Sequence, residues 1–286
     1  MARKSKPEPV AAQQKPPAGE LYLDHLAHFV PDLDAAARLL EKLGLAATPE
    51  SAHQVKGRPA GTSNRCVMLE QGYLEVLCPK LDTPHAQRVR NLMARYDGVH
   101  LACFGTPDAA FEHQRLAAHG FDPEPVVNLE RRIDTGEQLR FNVVYVPPEK
   151  MPEGRVQYCE HLTPEHLWKP QYVNPLQLEE IYVVAHNPVQ TAARWAEFSG
   201  LLPRPEDGMV ALETARGKIL VGTRAVLSAF LGDVPPAPGI AGYRLACGSA
   251  GHMAERCAMA GAKVKEDGRL YRVALPAALG GSWLLA

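Results

Sequence analysis

Four residues stand out because each places an ionisable group inside a short, otherwise apolar, strand-like run. They are His25 in LYLDHLAHFV, Glu75 in GYLEVLCP, His100 in GVHLACF and Glu160 in VQYCEHL. Successive strand residues point to opposite faces. His25 is therefore expected beside Leu23 and Ala27, Glu75 beside Tyr73 and Leu77, His100 beside Ala102 and Phe104, and Glu160 beside Tyr158 and Leu162. An ionisable group buried without a partner is costly, so partners or a metal are expected. Two imidazoles and two carboxylates suit a divalent ion such as Zn²⁺, Ni²⁺, Fe²⁺, Mn²⁺ or Co²⁺. His161 is the alternative fourth ligand, since a one-residue slip of the last strand exchanges it with Glu160.

The elements that position these residues recur. Four times an apolar strand runs into a turn, an amphipathic helix and a closing glycine: Gly44, Gly120, Gly200 and Gly261. Asp32 and Asp108 stand where helix N-caps are needed, Pro31, Pro107 and Pro188 lie near helix starts, and each closing glycine suits the left-handed residue past a helix end. Further strand signals follow each helix, so each copy reads β-α-β-β-β. His25 and His100 stand at matching positions before their glycines, and Glu75 and Glu160 each fall on the last strand of their copy. Glu180 and Arg244 fill the histidine slots of copies three and four, whose closing strands KILVGT and SWLLA carry no carboxylate. One metal site is therefore expected, in the first half, and a Glu180–Arg244 salt bridge in the second.

The predicted fold is α+β, with four βαβββ modules paired two by two into two domains: residues 19–172 with the metal site, and 173–286 without. Linkers are expected near 80–97, 163–177 and 224–240, and residues 1–18, basic and Pro-rich, are expected to form a disordered tail.

LDHLAHFVPDLDAAARLLEKLGL, the GTSN stretch from Gly61 to Asn64, GYLEVLCP and CEHLTPEHLW together resemble the vicinal oxygen chelate superfamily, and within it the glyoxalase-like proteins. The resemblance covers the folded chain through the repeat, is strongest over 21–170, and implies that the paired modules curl into two half-open barrels. It implies that His25, Glu75, His100 and Glu160 occupy the four metal positions in order, the glyoxalase I pattern. It also implies lyase or isomerase chemistry on a small oxo-acid or carbonyl substrate. The ion would chelate two vicinal oxygens, and Glu160 would act as general base. A binding or sequestration protein and an Fe²⁺ dioxygenase are the alternatives on the same scaffold.

Around this site, His53 and Asn64 are expected at the pocket mouth, and the basic run Arg131, Arg132 and Arg140 supplies candidates for clamping a substrate carboxylate. Trp168 and Trp195 read as packing residues. The 286 residues hold 31 Lys plus Arg against 32 Asp plus Glu, a net charge of −1 that argues against a nucleic-acid partner. No apolar run approaches a membrane span. The six cysteines include no C-x-x-C pair and read as buried, reduced thiols of a cytoplasmic protein. The partner is expected to be a small-molecule substrate, and the chain a monomer or homodimer.

Overall fold

Each of the four repeats folds as a strand, a helix and three further strands in a computed structural model that describes residues 9–132 and 136–286. The first comprises β1 (Tyr22–Phe29), α1 (Leu33–Lys42), β2 (Ser51–Val55), β3 (Arg58–Gln71) and β4 (Tyr73–Pro79). After α2 (Pro84–Met93) the second runs through β5 (Gly98–Gly105), α3 (Ala109–Ala118), β6 (Val127–Arg132), β7 (Gln138–Tyr145) and β8 (Arg155–His161). A short α4 (Pro164–Leu167) leads to β9 (Val173–Val184), α5 (Pro188–Ser199), β10 (Pro203–Glu206), β11 (Met209–Glu213) and β12 (Lys218–Gly222). Then α6 (Arg224–Leu231) connects to β13 (Gly239–Cys247), α7 (Ala250–Met259), β14 (Lys263–Asp267), β15 (Leu270–Ala274) and β16 (Ser282–Leu285). The architecture is α+β, with four βαβββ modules. Helices α2, α4 and α6 occupy the segments read as linkers.

The local causes are those the sequence carries. The Asp32 side chain accepts the Asp34 and Ala35 amides at 2.8 and 3.1 Å, and Asp108 accepts that of Phe111 at 2.9 Å, so both cap orphan donors at helix starts. Helix α1 then buries Leu33, Ala36, Leu39 and Leu40, one stripe at helical spacing. The closing glycines Gly44, Gly120, Gly200 and Gly261 all have φ between 69° and 93°, a region that penalises any side chain.

The two halves close differently. In the first, β1 pairs with β4 and β5, β5 with β8, β8 with β7, β7 with β6, β6 with β2, β2 with β3, and β3 with β4, completing an eight-stranded ring. Gln54 and Val55 opposite Glu130 and Leu129 make the closing contact of this ring. In the second half the strands lie in the order β10-β11-β12-β9-β13-β16-β15-β14 and, among the described residues, do not close. The start of β9 pairs with the end of β3, so one sheet passes through both halves. They also share a core that includes Leu26, Val30, Ile181, Val183 and Tyr243.

The tail reading needs correction over residues 9–18; residues 1–8 lie outside those described. Gln14 is fully buried, its amide donating to Glu70 O at 2.9 Å and accepting the Gly72 amide at 3.2 Å. These are backbone groups at the β3–β4 turn, and satisfying them anchors the segment. Glu180 and Arg244 are cross-strand neighbours on β9 and β13 and form the expected ion pair at 3.3 Å. Arg244 also reaches Glu179 at 3.0 Å, and Glu180 reaches Lys218 at 3.4 Å. No described helix is long and apolar enough to cross a membrane.

Candidate functional site

The interior of the closed barrel is lined by a second apolar cluster that includes Ala27, Phe29, Tyr73, Leu101, Cys103, Phe141, Val143 and Cys159. On β1 the strand register shifts between Leu23 and His25, a bulge at Asp24. Leu23 thereby joins the outer core with Leu26, and Asp24 and His25 both belong to the barrel interior. The face shared by Leu23 and His25 in the sequence reading is broken at this bulge. Gly105 on β5 leaves space for the Asp24 carboxylate, since a Cβ there would lie 3.3 Å from its Oδ1.

Asp24 is fully buried between two imidazoles. Its Oδ2 is 2.6 Å from His25 Nδ1 and 3.0 Å from His161 Nε2. Burial opposes ionisation of this carboxyl, yet His161 and His25 outweigh it and hold Asp24 well below the usual carboxylate range. Burial likewise pushes His161 down, but the Asp24 charge overrides it and raises that imidazole to about 9. The result is a buried imidazolium–carboxylate pair whose Oδ2 is shared with His25.

His25 Nε2 faces Glu75 Oε2 at 3.9 Å, and its ring stacks on Tyr73 with centroids 4.2 Å apart. His53 approaches the other Glu75 oxygen at 3.7 Å, with its Nδ1 2.9 Å from Thr62 Oγ1. Asn64 donates to Glu75 Oε1 and accepts from Arg131, which is 4% exposed and lies over the Phe141 ring. Burial raises the Glu75 carboxyl, but His53, His25, Asn64 and Arg131 together bring it below its ordinary value. Burial holds His53 down at about 4, so it is neutral near pH 7. These groups, with Arg155 and Gln157, enclose a small polar chamber with room for about 40 Å³. His85, Leu129, Tyr145 and Arg155 form the boundary between it and a larger cavity of about 680 Å³.

Of the four proposed ligands, the structure brings His25 and Glu75 together but not His100 or Glu160. The chamber wall supplied by β5 and β8 carries Leu101, Gln157 and Cys159. His100 belongs to the opposite face, where its Nε2 donates to Tyr96 O at 2.8 Å. Glu160 also points outward, its Oε2 accepting the Ala109 amide at 3.3 Å and the Asn142 side chain at 3.0 Å, at the start of α3. His161 does face inward, but it is committed to Asp24. The donors present therefore do not fit a His₂Glu₂ ion site. Deeper in the barrel, two groups of metal-ligating atoms lie within 4.8 Å of one another: Asp24, Cys159 and His161, and Asp24, His25 and Cys103. These residues can hold a metal.

His53 and Asn64 are in the site as expected. Arg132 and Arg140 are exposed, and it is Arg131 of that run that enters the chamber, because neighbours on a strand face opposite ways. The sequence reading missed Asp24, Tyr73 and Arg155 as site residues. The Asp-His pair in LDHL was the visible signal for Asp24, whereas Arg155 carries none. Trp168 and Trp195 are buried packing residues, their indole N–H groups donating to Leu69 O and to Glu153.

Residues 23–199 match the family described as Glyoxalase-like domain. None of the curated proteins compared with the chain matches it. A hypothetical protein from Staphylococcus aureus superposes with a TM-score of 0.67 at 13% identity, over 93% of this chain and 99% of the other. A mutant of 4-hydroxymandelate synthase from Streptomyces coelicolor gives 0.55 at 14% identity, over 93% and 92%. The Mn(II)-bound glyoxalase from Novosphingobium aromaticivorans gives 0.51 at 10% identity, over 94% and 82%. At these identities the likeness to solved structures shows the fold alone.

Proposed function

Because the chain belongs to the glyoxalase-like domain family, within the vicinal oxygen chelate superfamily, we propose that it is a lyase or isomerase that moves a proton at the carbon beside a substrate carbonyl. The observation that carries this reading is the Asp24–His25 pair at 2.6 Å, aimed at Glu75 inside a buried polar chamber. A carboxylate on Nδ1 assigns the ring proton to that nitrogen and leaves the Nε2 lone pair facing the chamber. His25 Nε2 takes the C–H proton, and the bonding electron pair moves onto the carbonyl oxygen as an enolate. Glu75 stabilises the imidazolium so formed, and the guanidinium group of Arg131 faces the developing oxyanion. For an α-hydroxy carbonyl substrate, return of the proton to the former carbonyl carbon, with the hydroxyl proton passing to the enolate oxygen, completes an isomerisation. A positioned base of this kind accounts for about 10²–10⁴ in rate. Since His100 and Glu160 lie outside the chamber, the proton transfer rests on these residues of the chain.

The test is solvent exchange. Protein incubated in D₂O with a panel of α-oxo and α-hydroxy carbonyl compounds should incorporate deuterium beside the carbonyl of at least one, read by proton NMR. His25→Ala should abolish it, and Asp24→Asn should slow it severely. No exchange across the panel with the wild-type protein would favour the second reading, a binding protein, which Leu101 and Gln157 in place of ligating residues support.

A further inference from the structure

The 680 Å³ cavity beside the chamber is far larger than the chamber and chemically different from it. Val55, Leu92, Val127, Leu129, Met151 and Val156 give it apolar walls. Its size falls in the range of ordinary small-molecule sites. Its charged groups are unbalanced: Arg88, Arg95 and Arg155 against Glu124 alone. Arg88 is spoken for by Glu124 at 2.7 Å, and Arg95 by the carbonyls of Pro152 and Pro238. Arg155 is not. Among the described residues no carboxylate lies within ion-pairing distance of it. Its guanidinium lies over the rings of Phe29 and Tyr145, 5.6 and 5.8 Å from their centroids. Cation–π contacts hold the side chain in place but leave its in-plane N–H donors free. Arg155 sits at the boundary, lining both spaces.

We propose that the substrate is an amphipathic carboxylate: its acid group binds Arg155, its apolar body fills the cavity, and the oxo carbon next to the acid, with the C–H carbon beside it, reaches the chamber of His25 and Glu75. The inference rests on the proton-transfer reading for what happens in the chamber, but the seating of the ligand is tested apart from it. The free space in the chamber admits one functional group, so the body of a larger substrate has only the cavity to occupy.

The probes are straight-chain α-oxo acids from pyruvate to the twelve-carbon acid and their methyl esters, with binding measured by calorimetry. Each added methylene should tighten binding about fourfold until the cavity is full, the worth of about 0.8 kcal/mol of buried hydrocarbon. Acids should bind about tenfold or more tighter than their esters, the scale of a charge-assisted hydrogen bond. Arg155→Met should erase the acid–ester difference and keep the chain-length slope, and Arg155→Lys should restore part of the difference. Val127→Trp should weaken long acids and spare short ones. His25→Ala should leave slope and ratio intact while solvent exchange is lost, which separates failure of the catalytic reading from failure of this one. Affinity independent of chain length, or an acid–ester ratio unchanged in Arg155→Met, would overturn the proposal.

Discussion

The carboxylate of Asp24 and the imidazole of His161 meet at 3.0 Å with essentially no solvent on either side chain. Removing one member of such a pair strands the other charge. Asp24→Asn and His161→Phe each remove one charge and are each expected to destabilise the protein by about 3–5 kcal/mol in urea titrations, whereas the double variant, which removes both, should cost less than the two losses together. Fully additive losses in the double variant would contradict an ionised pair.

The same pair and the neutral histidines set opposite limbs of the stability–pH curve. Burial depresses His28, His53 and His100 to about 4 and His85 to about 3. Below the unfolded value of 6.5 the unfolded chain takes up protons that the folded one refuses, so their contribution is lost as pH falls from 6.5 towards 4. His161 is raised to about 9, so its contribution is complete below 6.5 and is lost as pH rises through 9. Melting temperature should therefore peak near pH 6.5 and fall on both sides. The alkaline limb should flatten in His161→Phe.

Glu160 is expected to be a structural residue. Its carboxylate sits at the N-terminus of α3, so Glu160→Ala should cost about 0.5–2 kcal/mol in chemical denaturation, and Glu160→Gln less. Neither change should abolish the solvent exchange that His25→Ala removes. Loss of exchange in Glu160→Gln with unchanged stability would return the base to Glu160.

The two halves are tied by His28, whose Nε2 is 2.8 Å from Tyr243 Oη and whose Nδ1 is 3.1 Å from Leu279 O. Tyr243→Phe leaves a buried ring nitrogen without a partner and is expected to cost about 1–3 kcal/mol. Glu180→Ala should cost about 1 kcal/mol, because Arg244 is 31% exposed and has Glu179 as a second partner. Denaturation midpoints of the two variants should rank accordingly.

The modular plan was legible because caps and closing glycines are local signals that survive in each repeat. The site was legible only where the strand register held. Glu75 and its face were readable because β4 is regular. His100 stands one residue farther from Gly120 than His25 does from Gly44, and in a strand one residue is the opposite face. Leu101, at the matching distance, is what lines the chamber. The bulge at Asp24 has no signature in LYLDHLAHFV, yet it brings the carboxylate to His25. Adjacent Arg131 and Arg132 cannot be told apart until the partner strands are known. Arg155 acquires meaning only when β8 is placed against the cavity.

The open half of the sheet has two outer strands, β10 and β14, and each is armoured against a stray strand from another molecule. β10 carries Pro203 and Pro205, both exposed, and a proline has no amide hydrogen to offer to an added strand. β14 presents exposed Lys263, Lys265, Glu266 and Asp267, charged side chains that an added strand would have to desolvate. The half that left its sheet unrolled thus keeps its margins from serving as templates for fibrous stacking, a hazard that the first half avoids by having no margin.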